Sequence, residues 1–371
     1  MTTWNKRNFV VLGGVGAIGR VVVRDLFESH PRNRILIADY NEAGARAYAR
    51  LFHGNRVSAT FANAGQVKQL AKLFCGRAVV INCTQHDFNL KVMQAALAAK
   101  IHYIDLGGLF HWTRRQLKLN NRFKRAGLTA ILGAGCAPGI TNVMTCAAAD
   151  RFDRITSVRI RVGAMDLNAR PTDFCFPYSA QTTVEELTLK PWVFAHGKFQ
   201  QVKPRTGWER VGFSRPVGAQ WVVMTRHSEV ATIPLTFRAK GLRQCDFKVG
   251  FDRKFVREVI RRLKGGWTVQ DFVKLPPLRD KPNDYEVSRV IVRGNKKTVT
   301  IECHAKANRR WHASAGDVDT GCPPSIIAQM IATGLIAQRG VLPPEVAVPV
   351  EPFFHELRKR GMKIVVKERK L

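Results

Sequence analysis

The stretch VVLGGVGAIGR, from Val10 to Arg20, places Gly14, Gly16 and Gly19 at G-x-G-x-x-G spacing. An apolar run from Asn8 to Leu12 precedes it, and Ile18, Val21, Val22, Leu26 and Phe27 follow at helical spacing, so the order is strand, tight turn, helix. Few folds use such a turn. The first glycine permits the turn, the second lets backbone amides approach a diphosphate, and the third lets the helix pack closely on the strand. Val15, Ala17 and Ile18 supply the remaining backbone of this predicted anion site, at a helix N-terminus whose unpaired N–H groups favour negative charge. His30-Pro31-Arg32-Asn33 breaks the helix, and RILIADY from Arg34 to Tyr40 is a second apolar strand carrying Asp39 at its end.

Asp39, twenty residues beyond Gly19, is placed to accept hydrogen bonds from ribose hydroxyls and to repel a 2′-phosphate. The expected cofactor is therefore NAD. Arg46, Arg50 and the general positive charge leave NADP open. If Asp39 merely caps the helix beginning near Asn41, the choice stays undecided.

The alternation continues through a helix from Asn41 to Phe52, a strand over Val57 to Phe61, a helix over Ala64 to Phe74 and the strand AVVINC. A helix over Leu90 to Lys100, the strand HYIDL, a helix over Thr113 to Arg125 and the strand LTAIL come next. Apolar strands joined by crossover helices need a parallel sheet covered on both faces. The fold class is thus α/β: an N-terminal Rossmann doubly wound parallel sheet over residues 1–152. After about Arg151 the texture changes to alternating segments such as ITSVRIRV and KKTVTIECHAK, with a hairpin-like RGNKK before the latter. This predicts an inserted α+β domain on a mostly antiparallel sheet over residues 153–317. A helix over Pro323 to Gly334 follows, with proline at its first positions.

Length agrees with two domains, since 371 residues are long for one core. The net charge of +32, from 60 Lys and Arg against 28 Asp and Glu, is the unusual quantity. Its densest clusters, Arg114 to Arg125, Arg253 to Lys264 and Arg358 to Lys370, each read as the outer face of a helix. None is interleaved in sequence with the aromatics a base-stacking surface requires, so the charge reads as a solvated surface and gives weak grounds for a nucleic-acid partner. The eight cysteines form no C-x-x-C pair, which points away from a disulfide scaffold and from a metal site. No apolar run reaches membrane-spanning length, and MTTWNKRNFV carries no secretion signal, so the expected location is the cytoplasm without membrane attachment.

Three further stretches, YIDLGGLFHWTRRQL at Tyr103 to Leu117, ILGAGCAPGITNVM at Ile131 to Met144 and DTGCPPSIIAQMI at Asp319 to Ile331, together with the glycine loop resemble the saccharopine dehydrogenase family. HSEVATIP and QRGVLPPE look like segments of prokaryotic members near lysine 6-dehydrogenase. The resemblance implies a nicotinamide cofactor, a small amino-acid substrate and a homodimer. It also implies that residues 318–371 are a helical segment returning to the nucleotide domain. The implied chemistry is oxidation or formation of a carbon–nitrogen bond, with lysine deamination as the leading expectation and a saccharopine or carboxynorspermidine-type reductase as the alternative. From a different class, the charge admits a non-catalytic nucleotide-sensing or nucleic-acid-associated protein.

Ligands of doubly wound sheets lie beyond the carboxyl ends of the strands. That criterion selects Cys83 and Thr84 after the fourth strand, Asp105 after the fifth, and the loop Gly133 to Asn142 after the sixth, within which Gly135 faces the cofactor and Pro138, Gly139 and Asn142 the substrate. Amine oxidation needs a base to neutralise the nitrogen. Candidates are Asp105, His111 and Glu185, with His227 and Glu229 in reserve. Asp105 could equally hold its own turn and His111 could cap a helix. Tyr178 and Ser179 match the family's substrate segment, and Arg226 and Arg161 are candidate clamps for a substrate carboxylate.

Overall fold

The computed structural model describes residues 7–168, 174, 176–275 and 282–370; Cys175, counted above among the cysteines, lies outside them. The chain divides into two compact units, Met1–Cys146 with Asp317–Arg360 and Ala147–Gly316 with Gly361–Leu371.

The first unit begins with β1 (Asn8–Leu12), α1 (Ala17–Ser29), β2 (Arg34–Asp39), α2 (Glu42–Ala49), β3 (Val57–Phe61) and α3 (Val67–Phe74). It continues through β4 (Val79–Asn82), α4 (Asn89–Ala99), β5 (His102–Asp105), α5 (Phe110–Leu117), α6 (Asn120–Arg125), β6 (Thr129–Ile131) and α7 (Ile140–Ala149). Phe9 to Leu12, Ile35 to Ala38 and Val79 to Ile81 are buried without alternation, as strands covered on both faces must be. The Asn41 side chain caps α2 by accepting from the Gly44 amide. The single helix expected over Thr113 to Arg125 is instead two, α5 and α6, and the first starts at Phe110.

The second unit contains β7 (Ile155–Asp166), α8 (Ala180–Thr188), β8 (Trp192–Ala195), β9 (Lys198–Gln201), β10 (Glu209–Gly212), β11 (Ala219–Met224) and α9 (Glu229–Thr236). After these come β12 (Gln244–Gly250), α10 (Arg253–Lys264), α11 (Val269–Val273), β13 (Asp284–Gly294) and β14 (Lys297–Lys306). β13 and β14 form the expected hairpin, with Arg293 opposite Thr298.

The chain then forms α12 (Ala315–Thr333), β15 (Gly340–Leu342), α13 (Pro344–Ala347), α14 (Val350–Lys359) and β16 (Lys363–Lys370). α12 begins eight residues before Pro323, so the two prolines lie inside the helix and do not start it. β15 pairs in parallel with β6 and completes a seven-stranded sheet of order β15-β6-β5-β4-β1-β2-β3. The nine-stranded sheet runs β10-β11-β12-β7-β13-β14-β16, with β8 on β12 and β9 on β8; apart from the parallel β7–β12 pair its ladders are antiparallel. Residues 318–371 are therefore not helical throughout: β16 is an edge strand of the second sheet, and the basic cluster Arg358 to Lys370 spans a helix end and that strand.

Within the first unit α12 lies against α1. Added as a side chain, a Cβ at Gly321 would stand 2.6 Å from Val21 Cγ1, and Ser325 Oγ donates to Asp25 Oδ2 at 2.5 Å. Asp25 also takes both Nε and Nη2 of Arg360, at 2.6 and 2.9 Å. A bidentate charged pair of this kind, almost wholly buried, holds the C-terminal helices to α1.

Candidate active site

The glycines divide their work sterically. Gly13, which the motif does not count, takes the turn itself: its φ is +77°, its N–H donates to Ala38 O at 2.8 Å, and an added Cβ would stand 3.0 Å from the Cys83 carbonyl. At Gly14 a Cβ would meet Ile37 Cγ2 at 2.9 Å, and at Gly19 it would stand 2.2 Å from Gly13 O, which is the close packing of helix on loop expected of the third glycine. Gly16 differs. Its nearest obstacle is Gly13 O at 3.4 Å, so the space outside it is open to a ligand.

Gly16 is also the N-cap of α1, with no side chain bonded across the helix end. The first internal bond of the helix is Arg20 N–H to Gly16 O, which leaves the amides of Ala17, Ile18 and Gly19 ahead of it. Asp39 sits above this opening. Oδ2 accepts from the Val15 amide at 3.0 Å and Oδ1 from the Asn41 amide at 2.9 Å. The carboxylate therefore faces the loop, as a ribose-binding residue must, and also braces α2. Arg46 is occupied by Glu42 at 2.6 Å, whereas Arg20, which sequence reasoning missed, donates to Val15 O at 2.8 Å beside the loop. These features fit a nicotinamide dinucleotide held by Gly14 to Gly19 and Asp39.

Cys83 and Thr84 close the loop's other side. The Cys83 amide donates to Leu12 O, the Thr84 hydroxyl donates to Asn82 Oδ1 at 2.7 Å, and burial pushes the Cys83 thiol well up, so it is no nucleophile.

Asp105 is a brace. Oδ1 accepts from the amides of Gly107 and Gly133 at 2.8 and 2.7 Å, and Oδ2 accepts from the Tyr103 hydroxyl at 2.9 Å and from Gln116 Nε2 at 2.5 Å. Burial raises its pKa and these bonds oppose the rise. With both oxygens doubly occupied inside the protein, the expectation of a general base here gives way to a residue that ties the β5 loop to the β6 loop. His111 likewise is no cap: it lies inside the first turn of α5, its ring 5.5 Å from that of Trp112.

The loop after β6 is a knot. Gly107 and Gly133, both at positive φ, make room for the buried Pro138, and a Cβ at Gly139 would stand 1.9 Å from Gly135 O. The amides of Ile140 and Thr141 donate to Gly135 O and Cys136 O. The α7 N-terminus is thus satisfied by its own loop. Asn142, also buried, accepts from the Gly139 amide at 3.0 Å and donates to Glu345 Oε2 at 2.7 Å. Gly135, Pro138, Gly139 and Asn142 thereby shape the loop from within, and Glu345, on α13, is its unforeseen support.

The second unit gathers the other candidates, with one exchange. Ser179 caps α8, accepting from the Thr182 amide at 3.4 Å. Tyr178 donates its hydroxyl to Glu186 at 2.5 Å, not to Glu185, while the residue as a whole stays 40% exposed. Glu186 and Glu229, both buried, flank the His227 ring, which hydrogen-bonds Glu229 through Nδ1 and approaches Glu186 at 3.5 Å through Nε2. Phe247 stacks on the imidazole at 3.7 Å. Burial alone would lower the His227 pKa, but the two carboxylates reverse this and raise it to about 10. It is an imidazolium at neutral pH. Glu185 accepts from Gln181 and lends its charge to Arg226, whose Nε donates to Lys190 O at 2.9 Å. Arg161 is not a substrate clamp: it is buried, with its guanidinium bonded to Glu209, Asp246 and Ile160 O.

Two family models cover the chain, the saccharopine dehydrogenase NADP-binding domain over residues 9–131 and the saccharopine dehydrogenase C-terminal domain over residues 135–362. The chain belongs to the saccharopine dehydrogenase family. Among relatives, it is 24% identical to carboxyaminopropylagmatine dehydrogenase of Synechocystis sp. over 95% of this chain and 96% of that protein. It is 25% identical to carboxynorspermidine synthase of Vibrio alginolyticus, a match covering 48% of this chain and 44% of that one. The yeast saccharopine dehydrogenase (L-Glu forming) has the same fold, with a TM-score of 0.74 at 15% identity over 98% of this chain and 100% of the other. Membership makes this chain an NAD(P)-dependent oxidoreductase of CH–NH groups. Among the described residues no helix is long and apolar enough to cross a membrane.

Proposed function

We propose that this protein is a reductase joining a polyamine-like amine to a carboxylated carbonyl compound through a secondary C–N bond, or cleaving that bond in reverse. The observation that carries this reading is the end-to-end match to carboxyaminopropylagmatine dehydrogenase, which takes precedence over the expectation of lysine deamination. The second unit supports it chemically. In a chain of net charge +32, Glu186, Glu229 and Glu286 fall near Tyr178 and His227, a negative field suited to an ammonium-bearing substrate.

The cofactor supplies or takes the hydride. The chain's residues do the rest: the backbone of Gly14 to Gly19 seats the diphosphate, Asp39 holds the ribose and favours NAD, and Asp105 and Asn142 hold the two loops in register. His227, charged at neutral pH, fixes Glu186, and Glu186 fixes the Tyr178 hydroxyl within the second unit. Arg226 takes the substrate carboxylate. The family resemblance supports a homodimer, which sedimentation tests.

The test is oxidation of NADH or NADPH with agmatine, 1,3-diaminopropane or lysine, each with and without an aldehyde or oxo acid. Turnover needing both organic partners is expected. Release of ammonia from lysine and NAD alone would overturn the reading in favour of deamination.

A further inference from the structure

Helix α10 presents two faces of different use. Val256 and Val259 are buried, and Phe255, Ile260 and Leu263 pack with them against Val184, Phe251 and Phe272. Lys254, Arg257, Arg261 and Lys264, at spacings of three, four and three, form a single stripe and with Arg205 line a groove of about 640 Å³. Glu258, the one acid in that lining, is already held by Arg261 and Arg262. Lys254, Arg257 and Lys264 have no carboxylate within ion-pair distance among the described residues.

The cluster's own aromatic, Phe255, packs against the core, and exposed aromatics come from outside the cluster in the same unit. Arg253 stacks 3.8 Å from the Trp221 ring and 5.0 Å from that of Trp208, at the start of the helix. Arg262 lies 4.5 Å from the ring of Trp267, beyond its end. Trp221 and Trp267 are 41% and 36% exposed. The fold thus makes a cationic track with an exposed indole near each end.

We propose that this groove binds single-stranded nucleic acid, a function separate from the redox chemistry. The stripe is about 15 Å long at 1.5 Å per residue. With one phosphate per roughly 3.4 Å of a stacked strand, it spans about four nucleotides, at the short end of known single-strand sites. Exposed indoles offer stacking platforms that a duplex, with its bases already stacked, cannot use. An anionic membrane is the weaker match, because the apolar face that would enter it is committed to the core.

The test is fluorescence anisotropy of a labelled oligouridylate of about 12 nucleotides with the full chain, across about 50–200 mM salt. Binding is expected to weaken linearly on a log–log scale. Changing Lys254→Glu, Arg257→Glu and Lys264→Glu together should lower the slope by about 2, from roughly 0.7 per phosphate contact, and Arg257→Gln alone by about 0.7. Trp221→Ala should cost about fivefold or more in affinity with the slope unchanged. Neither set should alter nicotinamide turnover. Reversing three cations of the other unit, Lys118, Arg122 and Arg125, is the control and should change neither quantity. No binding near 150 mM salt, an equal loss in the control, or equal affinity for duplex or for phosphatidylserine vesicles would each overturn the proposal.

Discussion

Asp39 Oδ2 accepts a hydrogen bond from the Val15 amide at 3.0 Å, so the carboxylate at the end of β2 is locked onto the glycine loop it serves. The same group braces the loop and, in the function proposed above, accepts the ribose hydroxyls. Its geometry predicts that Asp39→Ala weakens NADH by about tenfold or more, from hydrogen bonds to a charged group worth about 1.5–3 kcal/mol. NADPH should suffer less, since a repulsive charge is removed along with the bonds. Thermal stability measured with each nucleotide separates the two.

Two glycines of the motif, Gly19 and Gly16, should fail differently. Gly19→Ala puts a methyl 2.2 Å from Gly13 O, and the packed loop cannot move away, so a loss of at least about 1–3 kcal/mol in stability is expected. Gly16→Ala meets nothing nearer than 3.4 Å and should leave the melting temperature of the unliganded protein nearly unchanged while weakening nucleotide binding. Denaturant titration and nucleotide titration of the two variants together check this contrast.

His227 predicts a pH dependence whose sign is fixed by its raised pKa. The groups facing it are Glu186, Glu229 and, through Glu186, Tyr178. With a folded value of about 10 against an ordinary 6.5, its stabilisation is complete below pH 6.5 and is lost as the pH rises through 10. His227→Gln leaves two buried carboxylates without their cation and should cost about 3–5 kcal/mol at neutral pH. Melting curves from pH 6 to 10 should then fall less steeply for the variant than for the parent.

Arg360→Ala should destabilise the first unit by about 3–5 kcal/mol, because it strands the buried Asp25. Changing both residues together, Asp25→Leu with Arg360→Met, should recover much of that loss. A double-mutant cycle in denaturant gives the coupling directly.

How much of this was legible in the sequence depended on range. The strand–loop–helix around Gly14 to Gly19 and the placement of Asp39 rest on neighbours along the chain, so local spacing exposed them. Asp105 was found, with base and turn-holder as equal readings, because its donors come from residues 103, 107, 116 and 133, and no spacing rule foretells that convergence. The exchange of Glu185 for Glu186 is a matter of helix phase: Val184 and Leu187 mark the inward stripe of α8, and Glu186 lies within it. That signal was present and unused. The tryptophans stacked around α10 were beyond reach, since Trp208 and Trp221 stand more than thirty positions from the arginine they cover.

The β14–β16 pairing has a consequence for biogenesis. During translation β14 is made well before β16, and α12, β15, α13 and α14 are assembled in between. Throughout that interval the nascent second sheet carries an open, ten-residue ladder along β14, the kind of rim that recruits a neighbouring polypeptide. Once β16 is made, Lys363, Lys367 and Arg369 along it finish the rim with positive charges that a second copy would find repellent.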